Sequence, residues 1–147
     1  MVSGFTFSSD SSRIDRTQVH AWLSEQAYWA KGRAREVQDA AIDGSRNYSV
    51  WNTDGEQVAY ARVVTDAVTF AWLCDVFVDE SARGNGVGKM LVEGVIADLQ
   101  PLPVSRILLA TSDAHGLYAQ YGFAPAEDPN RYMIKQMKAA DQPQNTP

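Results

Sequence analysis

Residues 74 to 91, CDVFVDESARGNGVGKML, run from an apolar strand through a charged turn into an amphipathic helix, with Gly84, Gly86 and Gly88 at alternate positions. No other stretch restricts the fold as much. The β-branched and aromatic run VTFAWLCDVFVD predicts the strongest strand in the chain. After the glycines, Val87, Leu91, Val95 and Leu99 recur four apart, and Met90, Val92 and Ile96 widen the stripe, so a helix follows. Pro101 and Pro103 end it, and SRILLAT reads as a buried strand. A strand, a crossover helix and a second strand over residues 68 to 110 imply a parallel, right-handed pair.

The remaining segments surround this unit. GFTFS predicts a short first strand. IDRTQVHAWLSEQA carries Val19, Trp22, Leu23 and Ala27 near helical spacing, with Asp15 as N-cap, and REVQDAAIDGS is a second helix stopped at Gly44. Tyr48 and Val50, then Asp54-Gly55, then Val58, Tyr60 and Arg62, give a period-two hairpin. DAHGLYAQY predicts a short helix stopped at Gly122, and RYMIKQM a last alternating strand. The order β-α-α-β-β-β-α-β-α-β predicts an α/β domain. Its sheet is mixed and mostly antiparallel, with a central parallel pair and helices on both faces. Residues 1–138 are expected to form one domain, and the polar tail 139–147 to fray.

Charge and cysteine content narrow the function. A net charge of −5 disfavours a nucleic-acid partner held by phosphate neutralisation. It suits a basic substrate such as an amine, and a small anionic cofactor would need a local positive site. The single cysteine, Cys74, excludes an intrachain disulfide and fits a reducing cytoplasm. The first ten residues predict no signal peptide, and no stretch approaches the ~18 apolar residues of a membrane span. No Cys/His spacing suggests a metal site.

Two nucleotide motifs fail on the glycine segment. A Walker loop ending at Gly88-Lys89 needs Gly at 83 and Ser or Thr at 90, where the chain has Arg83 and Met90. A dinucleotide fingerprint from Gly84 needs Gly at 89, which is Lys89. What remains is a turn whose backbone amides converge on an anion, aided by the helix N-terminus, Arg83 and Lys89. VFVDESARGNGVGKML resembles the acetyl-CoA signature [QR]-x-x-G-x-[GA] of the GCN5-related N-acetyltransferase (GNAT) superfamily, through Arg83, Gly86 and Gly88. TSDAHGLYAQYGF resembles the superfamily's N-x-x-A-x-x-x-Y-x-x-x-G-F segment through Ala114, Tyr118, Gly122 and Phe123, with Thr111 where Asn is common. The two motifs stand in the expected order, and the element order fits as well.

The resemblance implies transfer of an acetyl group from acetyl-CoA to a small primary amine by direct attack. Arg83, Gly84, Asn85, Gly86, Val87, Gly88 and Lys89 would hold the pyrophosphate. Val76 and Val78 would pair with the pantetheine arm, and the Val76 amide would also stabilise the oxyanion. Tyr118 would protonate the departing thiolate. Asp75 stands where polyamine-type members carry the Asp of a Glu-Asp pair, with Cys74 replacing the Glu. It either handles the amine or simply pairs with Arg62 or another neighbour. Tyr28, Trp29 and Arg33, in the loop AYWAKGR, would line the acceptor pocket, or the aromatics would pack on the sheet. His115 is expected to serve structure or CoA contact rather than a relay. His20 is expected at the surface and Cys74 as packing, while Asp79 and Glu80 read as solvated turn residues. A non-catalytic acyl-CoA sensor on the same fold, a protein amine as acceptor, and a homodimer all stay open.

Overall fold

The computed structural model describes residues 3–137. Its strands are β1 (Phe5–Ser8), β2 (Arg46–Asn52), β3 (Gln57–Thr65), β4 (Ala71–Val78) and β5 (Ile107–Leu108). Its α-helices are α1 (Arg16–Gln26), α2 (Arg35–Asp43), α3 (Val87–Leu99) and α4 (His115–Ala119). The strands form one sheet in the order β1-β2-β3-β4-β5, antiparallel throughout except for the parallel β4–β5 pair.

Local chemistry sets most boundaries. Asp15 caps α1 by accepting from the Gln18 amide, and Gly44 closes α2 with its amide on the Ala40 carbonyl. In the β2–β3 turn, Asn52 Oδ1 accepts from the amides of Asp54 and Glu56, and Gly55 takes φ 77°. Asp66 folds the β3–β4 turn by accepting from the amides of Val68 and Thr69.

Two apolar cores lie on opposite faces of the sheet. One joins Leu91, Val92, Val95 and Leu99 of α3 to Ala61, Val63, Ala71 and Leu73. The other joins Val19, Trp22 and Leu23 of α1 and Ile42 of α2 to Tyr60 and Phe77. Leu73 and Phe77 are four apart, so an unbroken strand would point both to one face. They face different cores because the register slips between them. Arg62 pairs with Cys74 and Tyr60 with Phe77, leaving Asp75 and Val76 opposite Ala61. This is a β-bulge, and Asp75 adopts φ 53°, a left-handed conformation that Asp tolerates better than most side chains. Mid-helix Gly94 has a packing reason. A Cβ there would come within 2.3 Å of the Phe7 ring, so α3 approaches β1 through the missing side chain.

Two expected strands come out differently. SRILLAT contributes only Ile107 and Leu108 to the sheet, paired with Ala71 and Trp72, and both are half-buried. RYMIKQM forms no strand. Met133 and Ile134 are 94% and 83% exposed, and Arg106 Nη1 donates to the Tyr132 hydroxyl at 3.0 Å. An alternating pattern forms a strand only against an edge long enough to pair, and β5 offers two residues. The tail 139–147 lies outside the described residues.

Candidate active site

The short β5 creates the site. Beyond Trp72 and Leu108 the parallel pair separates, and a cleft of about 770 Å³ opens between Cys74–Val78 on one wall and Leu109–Thr111 on the other. It extends from Arg83 and Gly88 at one end to Trp29, Arg33 and Arg62 at the other, with Tyr118 in its lining.

At the first end, Gly84 and Gly86 take φ 80° and 78°, a region where a Cβ would be strained. Gly86 is the N-cap of α3, and no side chain caps that terminus, so the first amides of a 13-residue helix are left for an anion. Asn85 holds the turn by donating to the carbonyls of Ala82 and Arg83. The Val87 side chain is buried in the core, so only its backbone is available to a ligand. Lys89 is exposed. Arg83 Nε donates to the Val78 carbonyl at 3.0 Å, and its guanidinium lies 5.6 Å from the Phe77 ring centroid. Any pantetheine donor at that carbonyl would share it with Arg83 or displace it. Uncapped amides, left-handed glycines and an unpaired strand edge together fit the pyrophosphate and arm of CoA.

Tyr118 forms the middle of the cleft. Its ring is 7% exposed and packs edge-on against Phe123 at 5.7 Å. Burial, with help from the Asp113 charge, pushes the phenol up to about 12, so it stays protonated in ordinary buffers. Thr111, in the position where Asn is common, accepts from the Ala114 amide at 3.0 Å and starts the turn into α4. His115 is exposed and is not among the residues that line the cleft.

At the far end, Asp75 is 3% exposed and its carboxylate is fully engaged. Oδ2 accepts from Arg33 Nη1 at 2.8 Å and Arg62 Nε at 2.9 Å, and Oδ1 accepts from Trp29 Nε1 at 2.9 Å. Burial alone would raise its pKa. The Arg62 and Arg33 charges and the Arg33 and Trp29 hydrogen bonds outweigh that and hold it below the ordinary carboxylate value. A carboxylate so held is a poor proton acceptor, which favours the pairing reading of Asp75 over the base. Cys74, beside it, has its thiol pushed up to about 11, chiefly by burial. A thiol held neutral is a poor nucleophile.

The α1–α2 loop reaches the site as its sequence suggested, but by contacts that spacing cannot reveal. His20 Nε2 sits 2.8 Å from the Arg33 carbonyl, and Gln38 Oε1 accepts from Arg33 Nη1 at 2.9 Å. Tyr28 meets Trp29 edge-on at 5.0 Å and accepts from Ser112 Oγ at 2.8 Å, bridging the mouth of the cleft. Asp79 is more than a solvated turn residue: it accepts from the Ser81 amide and from Trp22 Nε1. Gln38, Ser112 and Trp72 carry no motif and were invisible in the sequence. Among the described residues, no three His, Cys, Asp or Glu side chains gather to hold a metal, and no helix is long and apolar enough to cross a membrane.

Comparison with known proteins decides the family. A family model described as "Acetyltransferase (GNAT) family" matches residues 15–123. The chain belongs to the GNAT acetyltransferases. A GNAT-family protein of Xanthomonas campestris pv. campestris has a solved structure that superposes with a TM-score of 0.85 at 42% identity, covering 93% of this chain and 96% of that one. Rice serotonin N-acetyltransferase 2, a chloroplastic protein, is 37% identical over 99 residues, 67% of this chain and 49% of its own length. This GNAT chain thus spans about half the length of that curated relative. Mycobacterium tuberculosis Rv2747, solved in complex with CoA, shares the fold at 17% identity with a TM-score of 0.68, covering 83% of this chain and 73% of that one.

Proposed function

We propose that this protein transfers the acetyl group of acetyl-CoA to the primary amine of a small molecule by direct attack. One observation carries the reading: a single cleft joins an uncapped α3 N-terminus, the open edge of β4 and the phenol of Tyr118. Acetyl-CoA supplies the activated thioester. The amides of residues 84–89 bind its pyrophosphate, with Arg83 and Lys89 adding charge. The Asp79 amide donates to the Val58 carbonyl on β3. By strand alternation Val78, and Val76 two before it, turn their backbone groups to the cleft. The Val76 amide then meets the oxyanion as the amine attacks.

When the carbon–sulfur bond breaks, Tyr118 hands its proton to the thiolate sulfur. A phenol near 12 is a weaker acid than a thiol of about 8.5, so the transfer is uphill on its own and is completed by reprotonation of the phenol. The proton lost by the attacking nitrogen restores the phenol through solvent. Asp75 takes no proton; it fixes Trp29, Arg33 and Arg62 around the acceptor. Tyr28 and Trp29 pack against the acceptor's apolar part. The single thiol fits work in a reducing compartment such as the cytoplasm.

Calorimetric binding of acetyl-CoA, followed by a CoA-release assay over an amine panel, tests this. Absence of binding at high micromolar concentration would refute it. Binding without CoA release from any amine would point instead to a non-catalytic acyl-CoA sensor.

A further inference from the structure

The far end of the cleft carries an unbalanced charge. Two guanidiniums, Arg33 and Arg62, line it and share one carboxylate, Asp75. The side chains are 5%, 14% and 1% exposed, so solvent screens this excess poorly. Each guanidinium also retains donors. Arg33 spends Nη1 on Gln38 and Asp75, its buried Nε has no partner, and its Nη2 makes no hydrogen bond among the described residues. Arg62 spends Nε on Asp75 and Nη1 on Ser45 Oγ, leaving Nη2 in the same condition. The nearby walls are apolar or aromatic, with Tyr28, Trp29, Trp72 and Phe77.

Resting on the acetyl-transfer reading, we infer that the acceptor is an amino acid with an apolar side chain, its carboxylate held by Arg33 and Arg62. Planar guanidiniums with spare N–H donors suit a carboxylate. A carboxylate also cancels the surplus positive charge that would repel a simple alkylammonium ion. The apolar side chain then lies against Trp29 and its neighbours, and the amine is left toward the middle of the cleft.

Phenylalanine, phenylalaninamide and phenethylamine separate charge from shape. The amide keeps the body and has the less basic amine, so nitrogen availability favours it over the acid. Acetylation by the wild-type protein should nonetheless give phenylalanine a kcat/KM at least about tenfold above phenylalaninamide, the worth of one modest charge-assisted contact. Arg33→Lys, which keeps the charge but loses the fork, should shrink that ratio. Should Arg33→Lys fold poorly, the wild-type ratio decides alone. A ratio of one or below, with amines still acetylated, overturns the inference and leaves acetyl transfer standing. Calorimetric binding of phenylalanine to the CoA-loaded protein, with no CoA released from acetyl-CoA by phenylalanine or any other amine, sinks the transfer reading and, with it, the amino acid as acceptor. If phenylalanine and leucine neither bind nor react, the inference is overturned.

Discussion

Trp29 Nε1 donates to Asp75 Oδ1 across 2.9 Å, joining the α1–α2 loop to the bulge in β4. The other oxygen of the same carboxylate holds Arg33 and Arg62. One side chain therefore ties the α1–α2 loop to both β3 and β4.

Asp75→Asn should destabilise the fold by about 3 kcal/mol, because it leaves two largely buried guanidiniums with a weak neutral acceptor. The pH dependence has a definite sign. The folded carboxylate titrates below the unfolded value near 3.8, so its stabilisation is fully present above that pH and lost as pH falls through the folded value. Urea unfolding should show a constant gap between wild type and variant at neutral pH that narrows below 3.8. A gap that widens toward acid would contradict the ion-pair assignment.

Tyr118→Phe should lower kcat by roughly 10²-fold while leaving acetyl-CoA affinity nearly unchanged. Because the phenol is pushed up to about 12, it remains a donor throughout the working range. The wild-type rate should therefore show no falling alkaline limb near pH 10. A limb there that disappears in Tyr118→Phe would mean the hydroxyl ionises far more easily than its burial implies.

Cys74→Ala should retain activity within about twofold, since a neutral, half-buried thiol neither attacks nor binds charge. Mass spectrometry of the wild type mixed with acetyl-CoA should find no acetyl group on Cys74. Detecting a kinetically competent acetyl-cysteine would overturn direct attack by the amine.

Gly94→Ala probes how closely α3 approaches β1. The clash with Phe7 should destabilise by about 1–3 kcal/mol, partly offset by about 1 kcal/mol of helix propensity. Combining it with Phe7→Ala should recover part of the loss in a double-mutant cycle. Strict additivity would show that the ring moves aside freely.

Most of the fold was legible because its signals are local. Asp15 and Gly44 mark helix ends by their own side-chain chemistry, and the four-residue repeat from Val87 to Leu99 specifies α3 wherever it packs. The strand expected at RYMIKQM failed because alternation describes a residue's readiness to pair, not the presence of an edge. The site divides in the same way. Arg83, Gly86 and Gly88 announce themselves through motif spacing. The Asp75–Arg62 pair was among the expectations, but its meeting with Trp29 and Arg33 was not, because the four residues come from three separate segments. The left-handed conformation at Asp75 was equally hidden, since no glycine flags it.

The bulge gives β4 the role of a reading frame for the whole molecule. Residues before Asp75 are in phase with the α3 core and Phe77 after it with the α1–α2 core, so a single insertion or deletion within Ala71–Val78 would send each set to the wrong partner. The loop 27–34 keeps no such phase and is held at single points instead, Ala27 and Ala30 in the core and Trp29 and Arg33 on Asp75. Changes between those anchors would leave every residue of β4 facing its own core.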